Sequence, residues 1–114
     1  MSQTPDAMQK CIADCTECHQ ICISTLLYCL QQGGKHAEAG HIRALLDCAE
    51  SCERSVHFML RKSSFHSQTC GLCAEICTTC AESCEAVGND QQMAECARSC
   101  RICAESCLQM SRAA

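Results

Sequence analysis

The chain has 114 residues, a formal net charge of −4 and 16 cysteines. This length fits one compact domain, and no apolar run approaches the roughly 18 residues that a membrane span needs. Nine Lys and Arg are set against 13 Asp and Glu with no basic run, so the electrostatic footprint of a nucleic-acid-binding protein is missing. The composition therefore argues against a transmembrane protein and against DNA or RNA as a partner.

The first predicted element is a helix over residues 5–32. Thr4 can cap it, Pro5 suits its first position, and Gly33 with Gly34 ends it. Its cysteines recur at steps of three, four and seven residues, which at about 100° per residue confines them to an arc of roughly 60°. A strand would scatter the same side chains over both faces. The members of this stripe are Cys11, Cys15, Cys18, Cys22 and Cys29.

The second predicted helix covers residues 37–61 and ends before the break at residues 63–67. Its inward arc differs from the first because His, Leu and Met stand beside the thiols. The residues on this arc are His41, Leu45, Cys48, Cys52 and Met59. His57 points about 180° away from Cys48, which indicates a surface position.

The third and fourth predicted helices cover residues 68–87 and 90–112. Gly88 ends the third helix and Asp90 caps the fourth. Both again carry one cysteine stripe, with arcs of about 80° and 60°. The stripes consist of Cys70, Cys73, Cys77, Cys80 and Cys84 in the third helix, and of Cys96, Cys100, Cys103 and Cys107 in the fourth.

The four helices form an internal repeat. Seven Cys-x-x-x-Cys units occur, and Cys-Ala-Glu-Ser-Cys recurs at 48–52, 80–84 and 103–107. Short connections make neighbouring helices antiparallel. The sequence therefore predicts an all-α protein, a single domain over 1–114 that folds as an up-down-up-down four-helix bundle with a cysteine-lined core.

The first two helices carry a second apolar stripe, and the other two lack a comparable one. It consists of Ile12, Ile23, Leu27, Leu30, Ile42, Leu46, Ala49 and Leu60. A spare apolar face on adjacent helices predicts a homo-oligomer interface, although cover by loops or by the other helix pair is the alternative.

The thiols predict a metal site. A core of small thiols sacrifices buried area, at roughly 25 cal/mol per Å², so a ligand is needed to compensate. The N-terminal residues show no leader peptide, so we expect the protein in the cytoplasm with its thiols reduced. Thiolates select soft ions, and Cu(I) accepts two or three of them, so one Cys-x-x-x-Cys unit can hold an ion. If each ion displaces one thiol proton, the core charge is unchanged up to about 16 ions.

Three other readings of the cysteines stay open. Zinc or a general thiolate buffer would use closed groups of four ligands, which continuous helical stripes do not resemble. A thiol redox protein would need a basic residue that lowers a cysteine pKa. Disulfides within one helix are disfavoured because side chains three or four apart are about 5–6 Å apart. No enzyme activity is expected, since no acid–base pair is distinct from the ligand set.

The seven Cys-x-x-x-Cys units, spread over all the predicted helices, resemble the cytosolic branch of the copper storage protein family. The resemblance implies storage of many Cu(I) ions inside the bundle, copper detoxification, a homotetramer built through helices 1 and 2, and a copper chaperone as a delivering partner. It also implies that the sixteen cysteines are ligands and that metal enters through one end, where His or Met supplements cysteine.

The antiparallel geometry predicts which residues gather at each end. One end brings together Cys29, His36, His41, Cys84 and Met93, and the other Cys11, Met59, His66, Cys70, Cys107 and Met110. We predict that metal enters at the His36 and His41 end. His41 is the better candidate ligand because it lies on the inward arc, while His36 and Met59 are further candidates.

Overall fold

The computed structural model describes residues 5–112, which form four α-helices, one short 3₁₀ helix and no strand. The helices are α1 (Pro5–Gln32), α2 (Ala39–Leu60), α3 (His66–Val87) and α4 (Gln91–Arg112). This architecture confirms the predicted all-α four-helix bundle. The proposed cap Thr4 lies outside the described residues, as do the two ends of the predicted 1–114 domain.

The four helices pack side by side in chain order. Each of α1 and α3 packs against both α2 and α4, and the described part measures 48 × 19 × 17 Å. Four helices arranged in this way enclose one long, narrow interior. The periodic cysteine stripes line it because each stripe follows one face of its helix.

The helix boundaries follow the turn residues. Gly33 and Gly34 adopt φ of 73° and 57°, and the Gly33 N–H donates to the Cys29 carbonyl at 3.1 Å, which ends α1. The 3₁₀ helix Gly34–Ala37 follows, so α2 begins at Ala39, two residues later than expected.

The other two connections are short. Lys62 adopts φ of 50° and the Ser63 carbonyl accepts the His66 N–H at 3.1 Å, so α3 begins two residues earlier than expected. The Asp90 carbonyl accepts the Ala94 N–H at 3.0 Å, which places Asp90 at the predicted cap position of α4.

Polar contacts between nitrogen and oxygen atoms also join neighbouring helices. The His19 Nδ1 lies 3.0 Å from the Ala49 carbonyl oxygen, and the Gln92 amide donates to the Thr25 hydroxyl at 2.8 Å. Arg101 donates two hydrogen bonds to the Glu85 carboxylate, at 2.8 and 2.9 Å. Helix packing therefore draws on contacts that involve no sulfur.

No helix within residues 5–112 is both long enough and apolar enough to cross a bilayer.

Candidate metal centre

The interior of the bundle is lined by thiols. All sixteen cysteine side chains have no exposed surface, and all are free thiols. Their burial confirms the inward stripes on the four helices. We call this set of sixteen cysteines the sulfur column.

The shortest sulfur–sulfur distances join thiols of different helices rather than the two thiols of one Cys-x-x-x-Cys unit. Within a unit, the Cys11 and Cys15 sulfurs are 4.0 Å apart. Between helices, the Cys15 sulfur lies 3.4 Å from that of Cys107 and 3.5 Å from that of Cys103. A disulfide would bring two sulfurs to about 2.0 Å, so these are contacts between separate thiols.

The thiols form groups of four whose sulfur atoms all lie within 4.8 Å of one another. Each of five such groups consists of one Cys-x-x-x-Cys unit and one thiol from each of two other helices. In order along the bundle, the groups are Cys15, Cys73, Cys103 and Cys107; Cys52, Cys73, Cys77 and Cys103; Cys18, Cys48, Cys52 and Cys77; Cys18, Cys22, Cys48 and Cys100; and Cys22, Cys80, Cys96 and Cys100.

Each group in this order shares two thiols with the next. The first two share Cys73 and Cys103, for example, and the last two share Cys22 and Cys100. The five groups together use twelve of the sixteen thiols, and Cys11, Cys29, Cys70 and Cys84 lie outside them. Soft ions held in neighbouring groups would therefore be bridged by common sulfur atoms.

One end of the column holds a cluster with mixed donors, which we call the His41 cluster: Cys29, His41 and Met93. The Cys29 sulfur lies 3.4 Å from His41 Nε2 and 3.7 Å from the Met93 sulfur. His41 is only 4% exposed, and its Nδ1 lies 2.7 Å from the Ser83 hydroxyl oxygen on α3. The predicted gathering of these three residues at one end is confirmed.

Burial sets the charge state of this cluster. Loss of hydration, followed by the proximity of Cys96, raises the pKa of the Cys29 thiol from 9.0 to about 11. Burial also lowers the pKa of His41 below its ordinary 6.5. Both groups are therefore neutral near pH 7, and a cation that arrives here finds an uncharged nitrogen and two sulfurs.

His36 lies at the rim of the same end. Its Nε2 lies 3.3 Å from the Asp90 carboxylate, and its ring meets the edge of Tyr28 with 5.8 Å between the ring centroids. The Tyr28 hydroxyl donates to the same carboxylate, which lowers the Asp90 pKa. The structure thus places His36 in a polar network with Tyr28 and Asp90.

The opposite end carries thioethers. Met59 is fully buried and Met110 is 2% exposed, and the Cys11 sulfur lies 3.8 Å from that of Cys107. The His66 Nδ1 lies 2.9 Å from the Ser63 carbonyl oxygen, so one of its two ring nitrogens contacts its own turn.

The sequence pattern did not predict every residue of the interior. Thr25 and Ser55 are fully buried. Each occupies an inward position at which a spacing of three and four residues would place a cysteine: Thr25 between Cys22 and Cys29, and Ser55 between Cys52 and Met59. A gap of seven residues between inward side chains, Cys22 to Cys29 and Cys52 to Met59, was the sequence signal for both. The contact of Ser83 with His41 has no such signal, because spacing within one helix does not reveal its partner on another.

The second apolar stripe is mostly exposed, as predicted, with one correction. Ala49 is 1% exposed and belongs to the core, since it lies one residue from Cys48 on the side that faces α1. Ile12 and Ile42 are partly buried. We call the remaining residues the outer apolar face: Ile23, Leu27, Leu30, Leu46 and Leu60, which are 40–61% exposed.

Helices α3 and α4 also expose large apolar side chains, so they differ less from α1 and α2 than predicted. Leu72 is 57% exposed on α3, and Ile102 and Leu108 are 47% and 37% exposed on α4. His57, expected at the surface, is partly buried.

The fold and the interior together define a helical bundle with a thiol-lined core. Residues 4–112 match the family described as copper storage protein. The chain belongs to this family.

Solved structures and a curated relative also resemble this chain. The chain is similar to a protein of Nitrosospira multiformis, with a TM-score of 0.90 and 46% identity over 95% of this chain and 97% of the other. It is similar to the Cu(I)-bound copper storage protein BsCsp3, with a TM-score of 0.86 and 32% identity over 92% and 98%. It is also 35% identical to the cysteine-rich protein YhjQ of Bacillus subtilis, over 75% of this chain and 80% of the relative.

Proposed function

We propose that this protein stores Cu(I) as cargo in the sulfur column. The observation that carries the proposal is the row of overlapping four-thiol groups, in which each group shares two sulfurs with the next. Thiolates are the ligands that Cu(I) selects, and shared sulfurs allow ions to occupy adjacent groups. The similar BsCsp3 structure is described as Cu(I)-bound.

Charge favours a univalent ion. An isolated charge in a dry interior is very costly, and none of the sixteen thiols has exposed surface. If one Cu(I) replaces one thiol proton, the interior stays neutral from the empty to the full state. A divalent ion held by four thiolates that it does not share would instead leave a net charge of −2.

The proposed ligands follow from this arrangement. They are the sixteen cysteines and His41, with His36 and Met59 as further candidates at the two ends. We assign entry to the His41 end, because a neutral imidazole beside a thiol and a thioether offers an incoming Cu(I) exchangeable ligands before it reaches the thiols beyond. His36 lies at the rim of that end, bound to Asp90.

The bundle is proposed to form before metal binds. The contacts of Gln92 with Thr25 and of Arg101 with Glu85 join helices without using sulfur, and Leu45 and Met59 are fully buried. Far-UV circular dichroism of the metal-free protein should show a helical spectrum that changes little on addition of Cu(I). A largely unfolded metal-free chain would contradict this part of the proposal.

The setting of the protein is also proposed. Free thiols suit the reducing cytoplasm, where storage would protect the cell from copper toxicity and a copper chaperone would deliver the ion. The outer apolar face on α1 and α2 would be buried in a homotetramer. We also propose that residues 1–114 form a single domain.

Anaerobic titration with Cu(I) against a competing chelator tests the function. We expect uptake well beyond four ions and up to about one per cysteine, while zinc, titrated in parallel, binds less tightly and in fewer equivalents. Zinc uptake in groups of four thiols with little Cu(I) beyond that stoichiometry would instead assign a zinc or general thiolate buffer. Disulfide exchange with a paired reductase would assign a thiol redox protein.

A further inference from the structure

The side chain of Ser83 contacts His41 at the proposed entrance. Its hydroxyl oxygen lies 2.7 Å from His41 Nδ1, and the other ring nitrogen, Nε2, faces the Cys29 sulfur at 3.4 Å. These three residues come from three different helices: Cys29 from α1, His41 from α2 and Ser83 from α3. The two imidazole nitrogens therefore have different partners, one a hydroxyl and the other a thiol.

The chemistry of the partners assigns the proton on the ring. A thiol is a weak donor and its sulfur is a weak acceptor, whereas an imidazole nitrogen with a free lone pair is a good acceptor. The Cys29 S–H is therefore better satisfied by His41 Nε2, at 3.4 Å, than by the Met93 thioether at 3.7 Å. If Nε2 accepts, the ring proton resides on Nδ1, and the Ser83 oxygen is placed to accept it.

We infer that Ser83 is a positioning residue for metal entry: its hydroxyl accepts the Nδ1–H of His41 and keeps the Nε2 lone pair directed at Cys29 and the column. This inference rests on the proposed function, in which His41 Nε2 is a ligand at the entrance. A metal-binding imidazole commonly donates its other N–H to a fixed acceptor, which holds both the tautomer and the ring orientation. His41 is 4% exposed, so its Nδ1–H relies on the Ser83 hydroxyl oxygen as its acceptor.

Loss of the hydroxyl should change the tautomer. In Ser83→Ala the Nδ1–H would lose this acceptor, which is unfavourable for a buried donor. A free neutral imidazole prefers the proton on Nε2, and this form turns an N–H rather than a lone pair toward Cys29. Alanine has the highest helix propensity, so α3 and the bundle should remain folded.

The same repeat supplies a matched control. Ser83 and Ser106 occupy the same place in two copies of Cys-Ala-Glu-Ser-Cys, but the Ser106 hydroxyl donates to the Asp14 carboxylate near the other end of the bundle. Ser106→Ala thus makes the same chemical change away from His41. Ser83→Thr retains a hydroxyl and serves as the rescue variant.

The first readout is the tautomer of His41 in the metal-free protein, from long-range ¹H–¹⁵N NMR correlations. We expect the proton on Nδ1 in the wild type, in Ser83→Thr and in Ser106→Ala, and a shift toward Nε2 in Ser83→Ala. A wild-type proton on Nε2, or the same tautomer in Ser83→Ala as in the wild type, would overturn the inference.

The second readout is the initial rate of Cu(I) transfer from a chelator, followed by stopped flow. Ser83→Ala should load about tenfold more slowly and reach the same final stoichiometry, while Ser83→Thr and Ser106→Ala should load at the wild-type rate. A wild-type rate in Ser83→Ala, or an equally slow Ser83→Thr, would contradict the role of the hydroxyl. A wild-type protein that takes up no Cu(I) would remove the proposed function, whereas the tautomer result would still test the hydrogen bond.

Discussion

At the scale of single residues, burial favours the neutral form of the titratable groups in the interior. Burial raises the pKa of Cys29 and lowers that of His41, so both are uncharged near pH 7. Burial acts in the same direction on the other thiols of the column, because loss of hydration disfavours a thiolate, and their sulfur atoms approach one another to 3.4 Å. A Cu(I) ion that replaces one thiol proton leaves the net charge of the interior unchanged.

Replacement of His41 by alanine tests the proposed entrance. His41→Ala should slow Cu(I) loading, and also removal by a chelator, because Cys29 and Met93 alone remain to receive the ion. The final stoichiometry should change by at most one ion, since the sixteen thiols are intact. Stopped-flow transfer from a Cu(I) chelator measures the rate.

The matched control is His57→Ala, which removes a histidine from the same helix. His57 is partly buried and lies away from the His41 cluster, so this variant should load at the wild-type rate. An unchanged rate in His41→Ala would place the entrance elsewhere.

The raised thiol pKa also predicts how the stability of the metal-free protein depends on pH. The Cys29 thiol titrates near 9.0 in the unfolded chain and at about 11 in the folded one. The unfolded chain therefore binds fewer protons in this interval, and the free energy of unfolding falls as the pH rises. We expect full stability below pH 9 and a loss between 9 and 11.

Urea unfolding under anaerobic, reducing conditions at a series of pH values measures this dependence. The Cu(I)-loaded protein is the control, because its thiolates are already formed and its stability should vary less over the same interval. A metal-free protein that becomes more stable above pH 9 would contradict the assignment of neutral buried thiols.

At the scale of the helices, the same spacing of three and four residues places the thiols of each helix on one face. One Cys-x-x-x-Cys unit supplies two sulfurs to a group of four, and two other helices supply one each. The helix α2 differs because Leu45 is fully buried on the arc between His41 and Cys48. This leucine gives the metal-free bundle apolar packing that thiols provide less well.

Leu45→Ala should therefore weaken the metal-free bundle. Truncation of a buried leucine costs about 2–5 kcal/mol, and chemical denaturation of the metal-free protein measures it. Leu72→Ala on α3, where the side chain is 57% exposed, is the control and should change the free energy of unfolding by about 0.5 kcal/mol or less. Equal effects of the two variants would show that Leu45 has no special place in the core.

Much of the fold and of the site could be predicted from the sequence at this scale. Steps of three and four residues fix a helical face, so the inward stripes and the four helices followed directly. The start of α2 did not, because the left-handed conformations of Gly33 and Gly34 and the 3₁₀ helix are set by the turn itself. The contacts of Ser83 with His41 and of Tyr28 with Asp90 depend on how separate helices pack, which single-helix periodicity does not encode.

At the scale of the whole molecule, two surfaces have different roles. The interior is thiol-lined, while the outer apolar face leaves Leu27 and Leu30 60% and 54% exposed on α1. Exposed apolar side chains that cluster on one face commonly mark an interface. The proposed tetramer would bury this face and add stability that a thiol core lacks.

Charges placed on the outer apolar face test the assembly. The double variant Leu27→Glu with Leu30→Glu should convert a tetramer, of four times the 12.4 kDa chain mass, to smaller species, because buried charges oppose association. Light scattering coupled to size-exclusion chromatography measures the mass. Leu72→Glu on α3 is the control and should leave the mass unchanged; a tetramer in both variants would place the interface on another face.

The most direct test of the central claim is anomalous diffraction at the copper edge from crystals of the Cu(I)-loaded protein. We predict several copper positions in a row inside the bundle, each contacted by cysteine sulfurs from at least two helices. Copper confined to the protein surface, or sulfurs joined in disulfides along an otherwise empty interior, would contradict the account.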